Sequence, residues 1–315
     1  MTVVVLAGGL SHERDVSLRS GRRVWESLLD AGVDVVIRDV DANLLGQWAI
    51  EPPTVAIPML HGAPGEDGAL RDVLESLRIP FVGSTAAACR MAFDKPIAKT
   101  IVAASGIHTP DAVALPHSTF RELGADAVIA AIVDRVQLPI IVKPTKGGSS
   151  LGVTVVRQQR DLASALVGAF AYGDVVLIEH FVEGTEIAVA VLEVGGVPTP
   201  LPAVEIRPDG GIYDYTARYT AGTTEFFAPA RLSDELSMAV ARVAVEAHKA
   251  LGLRDLSRSD LIVDADGTVW FLEVNVAPGM TETSLFPQAV TAAGLELGSV
   301  LGELVETAAR RTVHA

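Results

Sequence analysis

The sequence predicts a mixed fold, α/β at its N-terminal end and α+β beyond it, and three patterns carry that expectation. Residues 1–92 alternate continuous apolar runs with helical periodicity. The middle of the chain sets strand signals next to one another with only short loops between them. The last third holds two strand-like runs joined at Asp266-Gly267, a dipeptide favoured in tight hairpin turns.

The first element is Thr2–Leu6 (TVVVL), an apolar run that ends at Gly8-Gly9. A helix is expected next, with Asp15 as its N-cap, an apolar side of Val16, Val24, Leu28 and Leu29, and a stop at Gly32. Val33–Val40 and Thr54–Leu60 read as strands, Ala69–Leu77 as a helix and Pro80–Gly83 as a short strand. Such alternation implies a parallel sheet covered on both faces. Ligands of these sheets sit beyond the carboxyl ends of the strands, where Gly8-Gly9 and His61-Gly62 fall.

From Phe93 the pattern changes. A helical stretch runs to Ser105, a linker contains Pro110, and a second helical stretch covers Phe120–Val136. Strand signals follow at Ile140–Pro144, Gly152–Arg157 and Val175–Phe181, then at Glu186–Val194 and Ala203–Arg207. A polar loop spans Asp209–Thr224. Ser233 caps a helix with Leu236, Val240, Val243 and Ala247 at helical spacing, which ends at Gly252. The Leu256–Asn275 hairpin and further helices complete the chain. The expected divisions are 1–92, 93–183 and 184–315.

Composition narrows the function. A chain of 315 residues can form two or three domains with a large core. Its apolar residues are spread in short runs, none long enough for a transmembrane helix. Met1–Gly9 lacks the basic stretch and cleavage site of a signal peptide. The one cysteine, Cys89, permits no intrachain disulfide and reads as a small buried residue on a helix. These features together imply the cytoplasm. A formal net charge of −14 repels nucleic-acid backbones. An anionic small ligand would therefore need a local cluster of Lys and Arg.

The hairpin carries the strongest chemical signal. A two-residue turn at Asp266-Gly267 places Asp260 opposite Glu273 and Arg258 opposite Asn275, all four on one face. A four-residue turn would shift the pairing by one step and keep the same faces together. Carboxylates facing each other on a sheet repel, so a hard cation such as Mg²⁺, which favours oxygen ligands, would explain the pair. The alternative is a solvated outer face. Val269 and Phe271 are expected on the same face as the carboxylates, which argues against full solvation.

Two loops are suggestive. Lys143 to Gly152 (KPTKGGSSLG) lacks the GxxxxGK[ST] order of a P-loop, and a strand rather than a helix follows it. Its glycines and serines could close over phosphate as a lid, or form an ordinary polar connection. Ala277–Thr281 followed by Ser284-Leu285 offers N–H and hydroxyl groups to a carboxylate or oxyanion, or simply caps a helix.

At this point the sequence resembles the ATP-grasp superfamily and, within it, the D-alanine–D-alanine ligases. The matching pieces run in order along nearly the whole chain: Gly8-Gly9 with Ser11-His12-Glu13-Arg14 and Val16-Ser17; HGAPGEDG at 61–68; Phe81-Val82-Gly83-Ser84; Asp94-Lys95; KPTKGGSSLGV at 143–153; Glu179, Glu183-Gly184 and Glu186; Tyr213-Asp214-Tyr215 through Arg218-Tyr219; Arg258-Ser259-Asp260; and EVNVAPGMTETSLFP at 273–287. Each piece alone is weak, whereas the ordered set is specific. The resemblance implies a Rossmann-like N-terminal domain and a two-part ATP-grasp domain. It implies ligation of two D-alanine molecules through D-alanyl phosphate for peptidoglycan precursor synthesis, with ATP, two Mg²⁺ (or Mn²⁺) and a homodimer.

The same resemblance suggests residue roles. Lys95 and Lys143 would contact ATP phosphates, with Ser150 in the closing loop, and Glu179, Phe181, Val182 and Glu186 would hold adenine and ribose, Glu179 near the exocyclic amine. Asp260, Glu273 and Asn275 would bind metal. Glu13 would pair with the first substrate's ammonium and His61 would lie beside that substrate. Arg258 and the Gly279 N–H would face the oxyanion, and Ser284 with the Leu285 N–H the second carboxylate. Ser149 and Tyr219 would link to Glu13, and Arg218 would reach phosphate. There are two departures from the family pattern. Arg218 stands where lysine is usual, a planar fork in place of a point charge, and Val276 stands where threonine is usual. Two other readings are a ligase joining D-alanine to a hydroxy acid or another D-amino acid, and a non-catalytic nucleotide-binding paralogue. Intact Arg258, Asp260, Glu273 and Asn275 speak against the second.

Overall fold

Val3–Ala7 (β1) is buried along its whole length, as a run of β-branched and apolar side chains should be when both faces of a sheet are covered. Val35–Asp39 (β2) and Val55–Pro58 (β3) pair with it on either side, both parallel, giving the order β2-β1-β3. This computed structural model describes residues 2–211, 213, 217–218, 220 and 222–311. Tyr219, Asp214 and Tyr215 lie outside the described residues.

Local structure refines several expectations. The first helix is Arg14–Asp30, so Glu13 takes the N-cap position without a side-chain cap and Asp15 lies in the first turn. Pro80–Gly83 does not extend the sheet beyond one parallel bridge between Ala56 and Phe81. The helical stretch expected from Phe93 to Ser105 is the helix Lys95–Ala104, capped by Asp94, whose side chain accepts from the Ile97 N–H, and a separate helix, Ala86–Phe93, precedes it. Gly124, in left-handed backbone, divides the next stretch into His117–Leu123 and Ala125–Val136.

The middle of the chain forms a four-stranded antiparallel sheet from Ala112–Pro116 (β4), Ile140–Pro144 (β5), Thr154–Val156 (β6) and Val175–His180 (β7), in the order β4-β7-β5-β6. β4 and the helix Leu162–Phe170 had no clear signal in the sequence. Phe120, Ile129, Ile132, Leu162 and Leu166 cover this sheet and close its own core.

A larger sheet follows, made of Thr185–Val194 (β8), Val197–Pro200 (β9), Val204–Pro208 (β10), Thr224–Phe227 (β11), Leu256–Val263 (β12) and Val269–Asn275 (β13). Its main path is β11-β10-β8-β12-β13, with β9 paired to β8. The alternation along β8 sends Ile187, Val189 and Val191 to one face and Ala188, Ala190 and Leu192 to the other. The first face packs on helix Asp234–Ala250 and on helices 86–104. The second joins the core that holds β1, β3 and the C-terminal helices Leu285–Ala292 and Leu297–Ala309. Ser233 caps helix Asp234–Ala250 as expected, its hydroxyl accepting from the Leu236 N–H. Among the described residues no helix is long and apolar enough to cross a membrane.

Asp255 fastens Gly83 and Arg311 to this sheet. It is 1% exposed and has left-handed backbone. Its carboxylate accepts from the Gly83 N–H at 2.6 Å and from Arg311 Nη1 at 2.8 Å. Removing one partner of a buried ion pair leaves the other charge uncompensated, so Asp255→Ala should lower unfolding free energy by about 3–5 kcal/mol. Urea denaturation checks this, and an unchanged midpoint would show that the clamp is not holding the fold.

Candidate active site

Two cavities, of about 470 and 520 Å³, open side by side above the hairpin β12–β13. They share a wall that includes Lys95, Gly147, Gly148, Arg218 and Glu273. Glu13, His61, Ser149, Arg258, Asn275, Gly279, Ser284 and Leu285 line the first. Lys143, Ser150, Glu179, Phe181, Val182, Glu186 and Asp260 line the second. The structure thus brings every described candidate residue to one of two adjoining chambers.

The floor of the first cavity is built at the carboxyl ends of β1 and β3. The Ser11 hydroxyl donates to the His61 carbonyl at 2.9 Å and accepts from the Glu13 N–H, which ties the two loops together. Gly62 has φ +75, and a Cβ there would come within 2.7 Å of Glu13 Oε2, so a side chain would push the carboxylate away. The Ser149 hydroxyl makes a short hydrogen bond to Glu13 Oε1 and brings the lid loop onto this floor. On the other side of Gly62, its N–H donates to Glu66 Oε1 at 3.0 Å. Burial, with the adjacent Glu13 charge, pushes the Glu66 carboxyl up to about 8.

His61 is sealed behind this floor at 4% exposure. Nε2 lies 3.0 Å from Ser20 Oγ and Nδ1 lies 3.1 Å from the Ala277 carbonyl. Ser20 Oγ also accepts from the Met280 N–H at 3.1 Å. The consistent assignment has Ser20 donating to Nε2 and Nδ1–H donating to Ala277. Burial holds the imidazole down at about 4, with the Ala277 carbonyl opposing the shift and Arg258 adding to it. His61 is thus a neutral strut between the N-terminal sheet and the loop that carries Gly279.

The second cavity holds an alternating array of buried charges. Glu179, 1% exposed, lies 2.5 Å from Lys143 Nζ and 2.9 Å from Lys99 Nζ. Burial alone would raise the Glu179 carboxyl, but the two ammonium groups outweigh it and hold it below the usual range. Lys95 Nζ donates to the Gly147 carbonyl at 2.8 Å and sits 3.3 Å from Glu273, so one lysine touches both the lid and the hairpin. Desolvation would likewise raise Glu273, yet Lys95, Lys143, Arg218 and Arg258 hold it at about 2. Burial pushes the Glu186 carboxyl up to about 7.

The lid loop is strained where it meets both chambers. Ser149 and Ser150 have φ 53 and 56, left-handed values that non-glycine residues adopt at a cost. Ser150 Oγ donates to the Tyr213 carbonyl at 3.0 Å and accepts from Arg218 Nε at 3.0 Å. The Arg218 guanidinium lies 4.3 Å from the Tyr213 ring centroid. Lid and polar loop are therefore latched through Arg218, a contact suited to its planar fork.

The hairpin pairs Asp260 with Glu273 and Arg258 with Asn275, as expected. A β-bulge between Asp260 and Leu261 alters the rest of the expected register. Leu261 faces Phe271 and Val263 faces Val269, so Leu272 is the extra residue. Phe271 and Val269 consequently point away from the carboxylates into the core under helix Asp234–Ala250. This one-residue slip turns Phe271 and Val269 into the core and leaves Leu272 on the chamber side. On β8, Ala188 and Ala190 lie opposite Asp260 and Arg258, small side chains that leave space above the sheet.

Arg258 grips Asp260 with two hydrogen bonds, Nε–Oδ1 at 2.7 Å and Nη2–Oδ2 at 2.8 Å. Two carboxylates and the Asn275 amide are hard oxygen donors and fit Mg²⁺. Among the described residues no group of three His, Cys, Asp or Glu side chains could hold a metal unaided. Such an ion would need further oxygen ligands beyond this donor set.

At the far end of the first cavity, a Cβ on Gly279 would lie 2.8 Å from Ser284 Oγ. Ser284 Oγ accepts from the Thr281 N–H at 3.0 Å and lies 2.8 Å from the Thr281 hydroxyl. Ser284 occupies the N-cap position of helix Leu285–Ala292 without a side-chain cap bond of its own.

Sequence reasoning missed Lys99, Ser20 and Glu66 as members of this site. Lys99 could have been found, because it lies four residues after Lys95 and hence on the same helix face. Glu66 sits within the quoted HGAPGEDG segment, where only its burial distinguishes it from a capping acid. Ser20 carries no local signal, since its partners are 41 and 260 positions away.

Comparison with known proteins gives a consistent result. Residues 101–306 match the family model described as D-ala D-ala ligase C-terminus. The chain is 41% identical over 307 residues to the D-alanine–D-alanine ligase of Anaeromyxobacter dehalogenans (strain 2CP-C), covering 98% of this chain and 96% of the relative. It is 39% identical over 313 residues to the corresponding protein of Bordetella petrii, covering 99% and 93%. Among solved structures, the D-alanine–D-alanine ligase of Bacillus anthracis matches with TM-score 0.84 and 32% identity, over 98% of each chain. The same enzyme complexed with ATP matches with TM-score 0.81 and 30% identity, over 98% and 97%. VanG D-Ala:D-Ser ligase from Enterococcus faecalis matches with TM-score 0.83 and 27% identity, over 98% and 99%.

The buried neutral His61 has a measurable consequence. Its pKa is depressed in the folded protein to about 4 from 6.5, so its stabilising contribution is full above the unfolded value and is lost as pH falls through that window. His61→Gln should flatten the rise of unfolding free energy with pH in this window by about 1.4 kcal/mol per pH unit, one proton's worth. Parallel slopes for variant and wild type would refute the neutral assignment.

Proposed function

The chain belongs to the D-alanine–D-alanine ligase family, and from that premise we propose how its own side chains carry out the reaction. It is an ATP-dependent ligase: the γ-phosphoryl group of ATP is transferred to the carboxylate of one D-alanine, and the amine of a second D-alanine displaces the phosphate to give D-alanyl-D-alanine, a peptidoglycan precursor. The observation that carries this reading is the shared wall of Lys95, Arg218 and Glu273 between the two chambers. A nucleotide in the larger chamber can reach an amino acid in the smaller one only across that wall.

Phe181, Val182, Glu179 and Glu186 line the adenosine end of the larger chamber, while Lys95, Lys143, Ser150 and Arg218 meet the phosphates. Asp260, Glu273 and Asn275 would hold Mg²⁺, two ions on this reading, which when bound neutralises phosphate charge during transfer. Glu13, with Ser149 against it, receives the first ammonium, and His61 holds the floor beneath. Tyr219 is assigned with them from the sequence. Arg258 and the Gly279 N–H stabilise the oxyanion that forms when the amine attacks. Ser284 and the Leu285 N–H take the second carboxylate at a helix N-terminus, where backbone donors favour anions. The lid at 146–152 excludes water that would hydrolyse the acyl phosphate. Nucleotide would lie between segments 93–183 and 184–315, with 1–92 contributing the first amino-acid site. A cytoplasmic homodimer completes the reading.

The test of the reaction is ADP release by the purified protein with Mg²⁺-ATP, with and without D-alanine, followed by mass analysis of products with D-lactate or D-serine in excess. D-alanine-dependent ADP and mainly D-alanyl-D-alanine are expected. ADP release indifferent to D-alanine, or a mainly ester or mixed product, would overturn the assignment. For the metal role, Glu273→Gln should lower kcat/KM for Mg²⁺-ATP by roughly a hundredfold or more, ~3 kcal/mol of lost stabilisation, with an unchanged fold by circular dichroism. A wild-type Mg²⁺ dependence in that variant would remove Glu273 from the metal site.

A further inference from the structure

Glu66 is the one acid in the first cavity whose burial the proposed reaction leaves unexplained. It ends the short helix Ala63–Glu66, is 7% exposed and lines the cavity together with Glu13 and His61. Among the described residues it enters no ion pair. Its Oε1 accepts from the Gly62 N–H, while Glu13 Oε2 lies on the other side of the same glycine. Two carboxylates therefore flank one backbone position and face one chamber.

A buried carboxyl without a cation either holds a proton or awaits a positive ligand. The neighbouring cations, Arg71 and Lys95, act on it only at a distance, with no ion pair to it among the described residues. Arg71, from helix Ala69–Ser76, donates from Nη1 to the Gly65 carbonyl, and its charge opposes the rise of the Glu66 carboxyl without pairing with it. Lys95, from helix Lys95–Ala104, is engaged with Gly147 and Glu273. Cys89, from helix Ala86–Phe93, is a buried thiol whose own pKa is raised by burial. Glu13, ahead of helix Arg14–Asp30, repels a second negative charge.

The substrate's chemistry fits this arrangement. A primary ammonium has three N–H donors. Glu13 Oε1 already accepts from the Ser149 hydroxyl, so Glu13 alone has limited capacity for them. We propose that Glu66 is a second carboxylate of the first amino-acid subsite and that it clasps the substrate ammonium together with Glu13. This rests on the ligase reading given above. In the empty site Glu66 is a neutral acid, consistent with its carboxyl standing at about 8. As the ammonium arrives, the Glu66 O–H bond breaks, its electron pair stays on the carboxylate and the proton passes to the buffer. The charge on the pair changes from −1 to −2 as the +1 ligand enters. Binding is thus linked to release of a proton, and it favours an α-ammonium over a neutral hydroxyl at that position.

D-alanine is titrated calorimetrically at pH 7 into the full-length protein holding Mg²⁺ and a non-hydrolysable ATP analogue, in two buffers of different ionisation enthalpy. The wild type should release close to one proton per first-bound D-alanine. Glu66→Gln keeps an acceptor for the Gly62 N–H but has no proton to lose, so its release should fall to near zero. Its KM for D-alanine should rise about tenfold or more, with kcat changed by less than about threefold. A wild type that binds D-alanine without proton release, or a glutamine variant with KM within about twofold of wild type, overturns the proposal. D-alanine-dependent ADP release by the wild type is measured alongside. If it is absent the ligase reading fails. If it is present while the variant matches wild type, only the role of Glu66 fails.

Discussion

The pairing of β12 with β13 sets the geometry on which the site depends. Arg258, Asp260, Glu273 and Asn275 must stand on one face beneath the two chambers, while Phe271, Val269 and Leu261 must fill the core on the other. A strict two-residue alternation from the turn would have placed Phe271 and Glu273 on the same side. The extra residue at Leu272 resolves that conflict, because one inserted residue flips every side chain beyond it. Leu272 itself lines the larger chamber. The hairpin is therefore apolar below and carries its charged groups above, with Ile262 and Leu272 beside them.

A chain with net charge −14 nonetheless concentrates cations at this face. Lys99, Lys143, Lys95 and Arg258 are each less than a tenth exposed, and each touches a carboxylate. In the buried interior either sign alone would be costly. Interleaving them keeps Glu179 and Glu273 ionised and leaves the lysines charged partners within reach of the cavity. Phosphate entering such a lattice can exchange for a carboxylate as the partner of Lys143 or Lys95 without stranding a charge. The same logic isolates Glu66, which has a neighbouring carboxylate and, among the described residues, no ion pair.

Distant segments are held together by few, fully used polar atoms. Ser20 joins His61 to Met280, Asp255 joins Gly83 to Arg311, and Ser150 joins Tyr213 to Arg218. These are one-atom junctions between elements that the hydrophobic cores bring near but do not align. Helices 86–104 pack on the large sheet rather than on the four-stranded one, which carries Lys95 and Lys99 over β13. The lid is the exception. It is tied at both ends by strands, and its serines hold left-handed backbone, the kind of local cost that closing and opening can exploit.

The sequence by itself determined the class of fold and named candidate residues that the structure gathers around two adjoining chambers. Valine runs, glycine stops and the Ser233 cap act through neighbours a few residues away, so β1, helix Asp234–Ala250 and the hairpin were legible from local pattern. The ordered motifs contained more than half of the residues that line the two chambers. Tertiary structure decided what local pattern cannot encode. β4 and helix Leu162–Phe170 form because the four-stranded sheet needs an edge and a cover. The bulge at Leu272 arises because core packing competes with turn geometry. Ser20 became part of the site only through partners far away in sequence, and Lys99 and Glu66 through burial that local pattern does not show. Burial fixed their chemistry as well: a histidine made neutral, a glutamate left without a cation, and a glutamate held between two lysines are states set by desolvation and distance, which appear only once the chain has folded.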